Sequence, residues 1–285
     1  MKRNDRIRLI FTRNWKLTGK QRFINLFKPS ANVKVDLKDG ITWLTDEDIA
    51  IYTTADNYIE WNILSTGTYE DEINKLIRIS LKDGDVALDV GANIGLQSIR
   101  MAKSVGETGR VFAFEPLTYL QKKFAANVAL NRSLNVTLLP YALANAETET
   151  EYDINENEWN QGTFSLDNHT ENGGSAQKII IKKGDILPEI KNLNRLDLIK
   201  IDVEGFEFQV MLGLFETIKK HRPRIIFEYD HNYWTKTNQS ISECFNFLKA
   251  INYKIFQITP IGCELRECPE HITGGNLFCL QAEHE

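Results

Sequence analysis

The stretch LDVGANIGLQS, residues 88–98, sets two glycines behind a carboxylate, a composition that could let backbone close around a ligand. Counted from Gly91 against the dinucleotide fingerprint G-x-G-x-x-G, the second and third positions carry Asn93 and Leu96. The second glycine of that fingerprint exists so that backbone can approach a pyrophosphate, and a side chain there blocks the approach. Asp89 is the stronger objection. A carboxylate about 4 Å from a phosphate costs on the order of 4 kcal/mol at an effective dielectric of about 20. The loop is built against phosphate.

A cationic ligand reverses that sign. S-adenosylmethionine carries a sulfonium, an ammonium and no phosphate, so Asp89 attracts its amino-acid end, while Gly91 and Gly95 leave room for backbone beside it. The next apolar run ends in Glu115, 24 residues beyond Gly91. An acid at about that interval accepts hydrogen bonds from ribose hydroxyls in nucleotide folds. As purely structural residues, Asp89 would cap a helix and Glu115 would end a surface strand.

A second constellation lies in IKIDVEGFE, where Lys200, Asp202 and Glu204 alternate and, if extended, share one face. Glu228 and Asp230 close the following strand, and His231 comes next. Carboxylates beside a sulfonium could do two jobs. Asp202 or Glu204, or else His231, could remove a hydroxyl proton as oxygen attacks the methyl group, an effect worth about 10²–10⁴-fold. Alternatively Asp202, Glu228 and Asp230 could hold Mg²⁺ and acidify the hydroxyl. Lys200 is expected to pair with a neighbouring carboxylate, and Glu207 to cap the helix that follows or to face solvent there.

These residues need a frame. From Asp83 onward VALDV, RVFAFEP, NVTLLPYAL, LDLIKID and RPRIIFEYD read as strands, with helical spacing in IGLQSIRMAKSV, LTYLQKKFAANVALN, FQVMLGLFETIKKH and ISECFNFLKAI between them. YKIFQIT and NLFCLQA close the chain as strands. The alternation predicts an α/β fold: a seven-stranded, mostly parallel, Rossmann-like sheet with helices on both faces. Ligands on such sheets bind beyond the carboxyl ends of the strands, at the switch in strand order. Ahead of this frame TYEDEINKLIRISL reads as a helix, VKVDLKDGITWL as a hairpin about Asp39-Gly40, and DIAIYTT and YIEWNIL as further strands. The expected organisation is a basic arm (1–29), a β-rich extension (30–69) and a catalytic domain (70–285) with a lid loop at 155–176.

The chain resembles the FkbM-type methyltransferases through TYEDE, DGDVALDVGANIG, GRVFAFEP, NVTLLPYALAN, LIKIDVEGFEFQVMLGL and RPRIIFEYD, over roughly residues 66–280. The resemblance implies an S-adenosylmethionine-dependent enzyme in which Asp89, Gly91, Asn93 and Gly95 hold the methionine end and Glu115 the ribose. Tyr141 to Asn145, with Ala142 among them, would lie near the adenine. Family members often carry an acid where this chain has Asn145, whose oxygen can still accept from the adenine amino group. The family points toward O-methylation of sugars or secondary metabolites, and the hydrogen-bonding and aromatic residues of the lid (Trp159, Phe164) and of YDHNYWTKTNQS (His231, Tyr233, Trp234) suit a polyhydroxylated acceptor or glycan.

Composition trims the alternatives. The net charge is −5, but residues 1–29 carry nine Lys/Arg and one acid, leaving −13 on the remainder. That acidic body disfavours a nucleic-acid partner. An RNA or cap methyltransferase nevertheless stays open through the basic arm, which could equally dock on a membrane surface or a protein. The fourth strand also lacks the Asn/Asp-Pro-Pro-aromatic motif of amino-methylating DNA enzymes. A non-catalytic cofactor-binding scaffold is the rival of another class. No run reaches the ~18 apolar residues of a membrane span, no secretory signal is apparent, and a cytoplasmic protein with Cys244, Cys263, Cys268 and Cys279 as free thiols is the simplest outcome.

Overall fold

A computed structural model of the chain describes residues 40–45, 47–54, 58–132, 134–154, 175–259, 264–269 and 272–282. The basic arm, the first half of the expected hairpin, Cys263 and lid residues 155–174, with Trp159 and Phe164, lie outside them.

The described elements run β1 (Ile41–Trp43), β2 (Ala50–Tyr52), α1 (Tyr58–Thr66), α2 (Asp71–Ser80), β3 (Val86–Val90), α3 (Leu96–Val105), β4 (Arg110–Phe114), α4 (Thr118–Leu130) and β5 (Val136–Leu139). They continue with β6 (Ala142–Leu143), β7 (Thr148–Ile154), β8 (Ser175–Lys182), α5 (Pro188–Lys191), β9 (Leu198–Ile201), α6 (Glu207–Gly213), α7 (Phe215–His221) and β10 (Arg224–Asp230). Last come α8 (His231–Lys236), α9 (Ile241–Ala250), β11 (Tyr253–Ile258), β12 (Leu265–Glu267) and β13 (Gly274–Gln281).

The main sheet has the order β12-β11-β13-β10-β9-β3-β4-β5. β5, β4, β3, β9 and β10 are mutually parallel, and β13 enters antiparallel between β10 and β11. The sheet thus holds eight strands where seven were expected. The extra one is the three-residue edge strand β12, which pairs antiparallel with β11, and beyond that pairing Thr259 N–H donates to the Glu264 carbonyl at 3.0 Å. The order reverses between β3 and β9, which is the switch point where a ligand crevice is expected.

Every side chain of β9 is buried, and alternate residues feed different cores. Ile199, Ile201, Ile225 and Phe227 pack with Phe208, Met211 and Leu248 from α6 and α9, whereas Leu198 and Ile226 pack with Ile73, Leu76 and Met101 from α2 and α3. Helices therefore cover both faces. At about 1.5–3 kcal/mol for each fully buried aliphatic side chain, this double burial holds the strand tips in register.

Three local expectations change. NVTLLPYAL is not one strand: Pro140 separates β5 from β6, and β6 joins the outlying sheet β6-β8-β7 by pairing Ala142 with Ile181. FQVMLGLFETIKKH breaks into α6 and α7 at Leu214. YIEWNIL is the helix α1 and not a strand, although its polar and apolar residues alternate. The alternation misleads because its polar members are inside: Glu60 is 1% exposed and accepts from the Thr54 backbone N–H at 2.6 Å and from Lys123 of α4. The second half of the expected hairpin does form a strand, with Ile41 to Trp43 pairing antiparallel with Tyr52 to Ala50.

Candidate functional site

A cleft of about 260 Å³ opens at the carboxyl ends of β3, β4, β9 and β10, at the switch point. Its floor begins at the tip of β3. Gly91 and Ala92 both donate to the Phe114 carbonyl, at 3.0 and 2.9 Å, so the chain curls over the end of β4. Asn93 then sits at φ 50°, a left-handed conformation that Asn tolerates better than most residues, with its Oδ1 accepting from the Ile94 N–H at 2.8 Å. That is how the loop dispenses with a second glycine. Gly91 and Gly95 are fixed by the protein itself: at φ 85° and 91°, an added Cβ would lie 1.9 Å from the Asp202 carbonyl oxygen and 2.8 Å from the Phe124 ring. Gly91 nonetheless lines the cleft, whereas Gly95 does not.

Asp89 is fully buried and lines the cleft. Its Oδ2 accepts from Ser98 Oγ at 2.5 Å, and its Oδ1 has no partner among the described residues. Glu115 also lines the cleft, yet both its oxygens are already used. Oε2 accepts from the Asn93 N–H and Oε1 from the Leu117 N–H, each at 2.9 Å. It ties the β3 loop to the start of α4, with lone pairs left over for a ligand hydroxyl.

On the other wall, Lys200 is buried and donates to Asp202 Oδ2 at 2.8 Å, so the expected ion pair is present. β9 ends at Ile201, and Glu204 follows at φ 54°, so Lys200, Asp202 and Glu204 do not share an extended face. The turn nonetheless converges them: Asp202, Glu204 and Glu228 all line the cleft, together with Tyr233. Glu207 neither caps α6 conventionally nor faces solvent. It is 1% exposed and accepts from the Val203 and Gly205 N–H groups, holding the turn that presents Glu204.

Four predicted residues, Gly95, Asn145, Asp230 and His231, are not brought in. Asn145 is exposed and absent from the lining, as is His231, whose Nδ1 is 3.2 Å from the Tyr229 hydroxyl. Asp230 caps α8 by accepting from the Asn232 and Tyr233 N–H groups. With Asp230 so engaged and Asp202 paired with Lys200, the set Asp202, Glu228 and Asp230 does not fit Mg²⁺, and among the described residues no group of three or more His, Cys, Asp or Glu side chains could hold a metal ion. Trp234 is a core residue, 1% exposed and edge-on to Tyr229. Ala142 does line the cleft, beside Tyr141 and Leu143.

Sequence reasoning missed Tyr58, Glu70 and Gln97, which also line the cleft. Glu70 stood in the TYEDE signature but was read as the onset of an amphipathic helix, the pattern that α2 indeed follows from the next residue.

The wall is rich in carboxyl groups: Glu70, Asp89, Glu115, Asp202, Glu204 and Glu228 face the single cation Lys200 among the lining residues described. Burial raises Glu70 to about 6, Glu115 to about 7 and Glu204 to about 8, the charge of Asp202 adding to Glu204. The Asp202 charge, with burial, raises Glu228 to about 9. Burial alone would draw the Lys200 ammonium down, but Asp202, Asp89 and Glu70 together hold it above its ordinary value. Carboxyls pushed up in this way mark a site short of positive charge.

Comparison with known proteins gives the family. Residues 89–255 match the methyltransferase FkbM domain. The chain is 29% identical over 193 residues to the AMB antimetabolite synthetase AmbE of Pseudomonas aeruginosa, covering 56% of this chain but 9% of that protein. It is 24% identical over 187 residues to Methyltransferase 1 of Beauveria bassiana, covering 60% of this chain and 74% of that one. A solved methyltransferase FkbM from Methylobacillus flagellatus KT is 18% identical, with a TM-score of 0.44 over 70% of this chain and 44% of that chain. With more than half of its length matched by the domain, on a sheet carrying its cleft at the switch point, the chain belongs to the FkbM family of class I methyltransferases.

Proposed function

We propose that the protein is an S-adenosylmethionine-dependent O-methyltransferase acting on a hydroxyl of a sugar, glycan or polyhydroxylated metabolite. The observation that carries the donor is the buried, half-partnered Asp89 at the head of a cleft with six carboxylates and one lysine among its described lining residues. The residues fit the donor: Asp89 would face its charged amino-acid end, Glu115 and the turn at Asn93 its ribose, and Tyr141, Ala142 and Leu143 its adenine. The donor supplies an electrophilic methyl group on a sulfonium. Holding acceptor oxygen, methyl and sulfur in line can supply about 7–11 kcal/mol of the barrier reduction.

Glu204 is the proposed base. It lines the cleft together with Tyr233, and its carboxyl at about 8 matches a proton acceptor working near neutral pH. Asp202, paired with Lys200, would stand between donor and acceptor sides, while Glu207 holds the turn that carries Glu204. The acceptor hydroxyl gives its proton to Glu204 as oxygen attacks the methyl carbon and the carbon–sulfur bond breaks. An acidic wall is a poor host for a phosphate backbone, which favours a non-nucleic-acid acceptor.

The test is release of S-adenosylhomocysteine on incubating the protein and S-adenosylmethionine with a panel of sugars, glycans and polyols. Product that rises with one of these acceptors supports the reading. Donor binding with turnover on RNA instead would replace the acceptor class, and binding without any turnover would favour a scaffold.

A further inference from the structure

The family-matched region begins at Asp89, yet the cleft is completed by residues that precede it. Glu70 is the charged one. It sits at φ 51°, ψ 56°, directly ahead of α2, in a left-handed conformation that is unfavourable for a non-glycine residue and persists only where neighbours impose it. The neighbours that impose it form a chain of bonds. Gln97 Nε2 of α3 donates to Glu70 Oε2 at 2.7 Å. Arg100, one turn along the same helix, donates through Nη1 to the Tyr69 carbonyl at 2.7 Å and to Gln97 Oε1 at 3.4 Å. Its other two donors grip Glu47, in the loop between β1 and β2, through Nε at 2.9 Å and Nη2 at 2.6 Å. The Arg100 side chain is 1% exposed.

This clamp sets a third carboxylate beside Lys200, together with Asp202 and Asp89. The hydrogen bond of Lys200 goes to Asp202, so Glu70 and the open oxygen of Asp89 are left for a cation that the protein does not itself provide. The part of the proposed donor with matching chemistry is the ammonium of its amino-acid chain.

We propose that Glu70 binds the ammonium of the methyl donor together with Asp89, and that Arg100 is the positioning residue that fixes Glu70 for this by anchoring its segment to Glu47. This rests on the reading of the cleft as an S-adenosylmethionine site. It makes the segment of residues 47–70 a working part of the donor site: without it the ammonium has one carboxylate where the complete cleft offers two.

The experiment compares two ligands that differ in the amino-acid chain. S-adenosylhomocysteine carries the ammonium; 5′-methylthioadenosine keeps the adenine, ribose and sulfur and lacks it. Titration calorimetry of the full chain, with 5′-methylthioadenosine measured by competition, is run on the wild type, Glu70→Gln, Glu47→Gln and Arg100→Lys. Glu70→Gln is expected to weaken S-adenosylhomocysteine about tenfold or more while changing 5′-methylthioadenosine by less than about threefold, the signature of one lost charge-assisted bond. Glu47→Gln and Arg100→Lys are expected to give a smaller loss with the same selectivity, since each keeps Glu70 but loosens its anchor. If Glu70→Gln weakens both ligands equally, Glu70 is structural and the proposal falls; if it weakens neither, Glu70 does not touch the donor and the proposal falls. Should Glu70→Gln fail to fold, the selectivity of Glu47→Gln decides alone. A wild-type protein that binds neither ligand fails differently, because it removes the donor reading itself.

Discussion

Ser98 Oγ lies 2.5 Å from Asp89 Oδ2, and the other oxygen of the same carboxylate is buried with no partner among the described residues. One helix residue thus fixes the rotamer of the strand-tip acid and leaves the remaining oxygen for a guest. A buried acceptor without a partner costs about 1–3 kcal/mol, so a ligand that supplies a donor there regains that amount.

Asp89→Asn is accordingly expected to weaken S-adenosylmethionine about 10- to 100-fold, the worth of one hydrogen bond to a charged group, while the folded domain survives. Titration calorimetry paired with a melting curve checks it. An unchanged affinity would remove Asp89 from the donor site.

The base assignment separates turnover from binding. Glu204→Gln should lower kcat by about 10²–10⁴-fold and shift donor affinity only a few-fold. In the wild type kcat should rise with pH and level off above about 8, where the carboxyl is ionised, or somewhat lower once a cationic donor eases its ionisation. Asp202→Asn behaves otherwise: it leaves the buried Lys200 ammonium facing a neutral amide in place of its charged partner, so a loss of roughly 1–3 kcal/mol of stability should accompany any loss of rate. A fully stable Asp202→Asn protein would contradict the role given to the pair.

Glycine substitutions report on the loop. Gly84 and Gly91 have nearly the same φ, 84° and 85°, but the nearest atom to an added Cβ is 3.4 Å away at Gly84 and 1.9 Å away, in backbone, at Gly91. Gly84→Ala should therefore cost about 1–2 kcal/mol for the left-handed backbone alone, and Gly91→Ala clearly more, measured by urea unfolding. Equal costs would mean that the close approach to Asp202 is not rigid.

Stability of the unliganded protein should fall as pH rises. Glu70, Glu115, Glu204, Glu207 and Glu228 all have folded-state values above the ordinary carboxylate range, from about 6 to about 9. A raised value means that the folded state favours the protonated form, so the stabilising contribution is present at acid pH and lost as pH climbs through these values. The melting temperature should decline from about pH 4.5, the ordinary carboxyl value, to about pH 9, and the gain on adding S-adenosylmethionine should grow between about pH 6 and pH 9, where the folded cleft ionises. A donor-induced gain that does not change with pH would show that the cleft charges are not felt by the ligand.

Much of this site was legible in the sequence because its chemistry lies where strands end. Asp89 and Glu115 could be placed from residue type and interval alone, and the buried strands forced the two-sided sheet. Failures came where tertiary contacts overrule a local pattern. Glu60 made YIEWNIL alternate like a strand, and only its partners in Thr54 and Lys123 explain why a buried acid belongs on a helix. Alternate spacing put Lys200, Asp202 and Glu204 on one face, whereas the positive φ at Glu204 and Gly205 turns the chain and reassembles the group by another route. Glu70 was hidden because its place in the cleft depends on Gln97 and Arg100, residues that on the sequence were only members of a helix.

The most direct test is diffraction from crystals of the full chain grown with S-adenosylmethionine. The account predicts density in the cleft between the β3 loop and Glu115, with the amino-acid end of the donor against Asp89. Donor density at any other place on the molecule, or an Asp89 that still has an open oxygen with the donor bound, would contradict it.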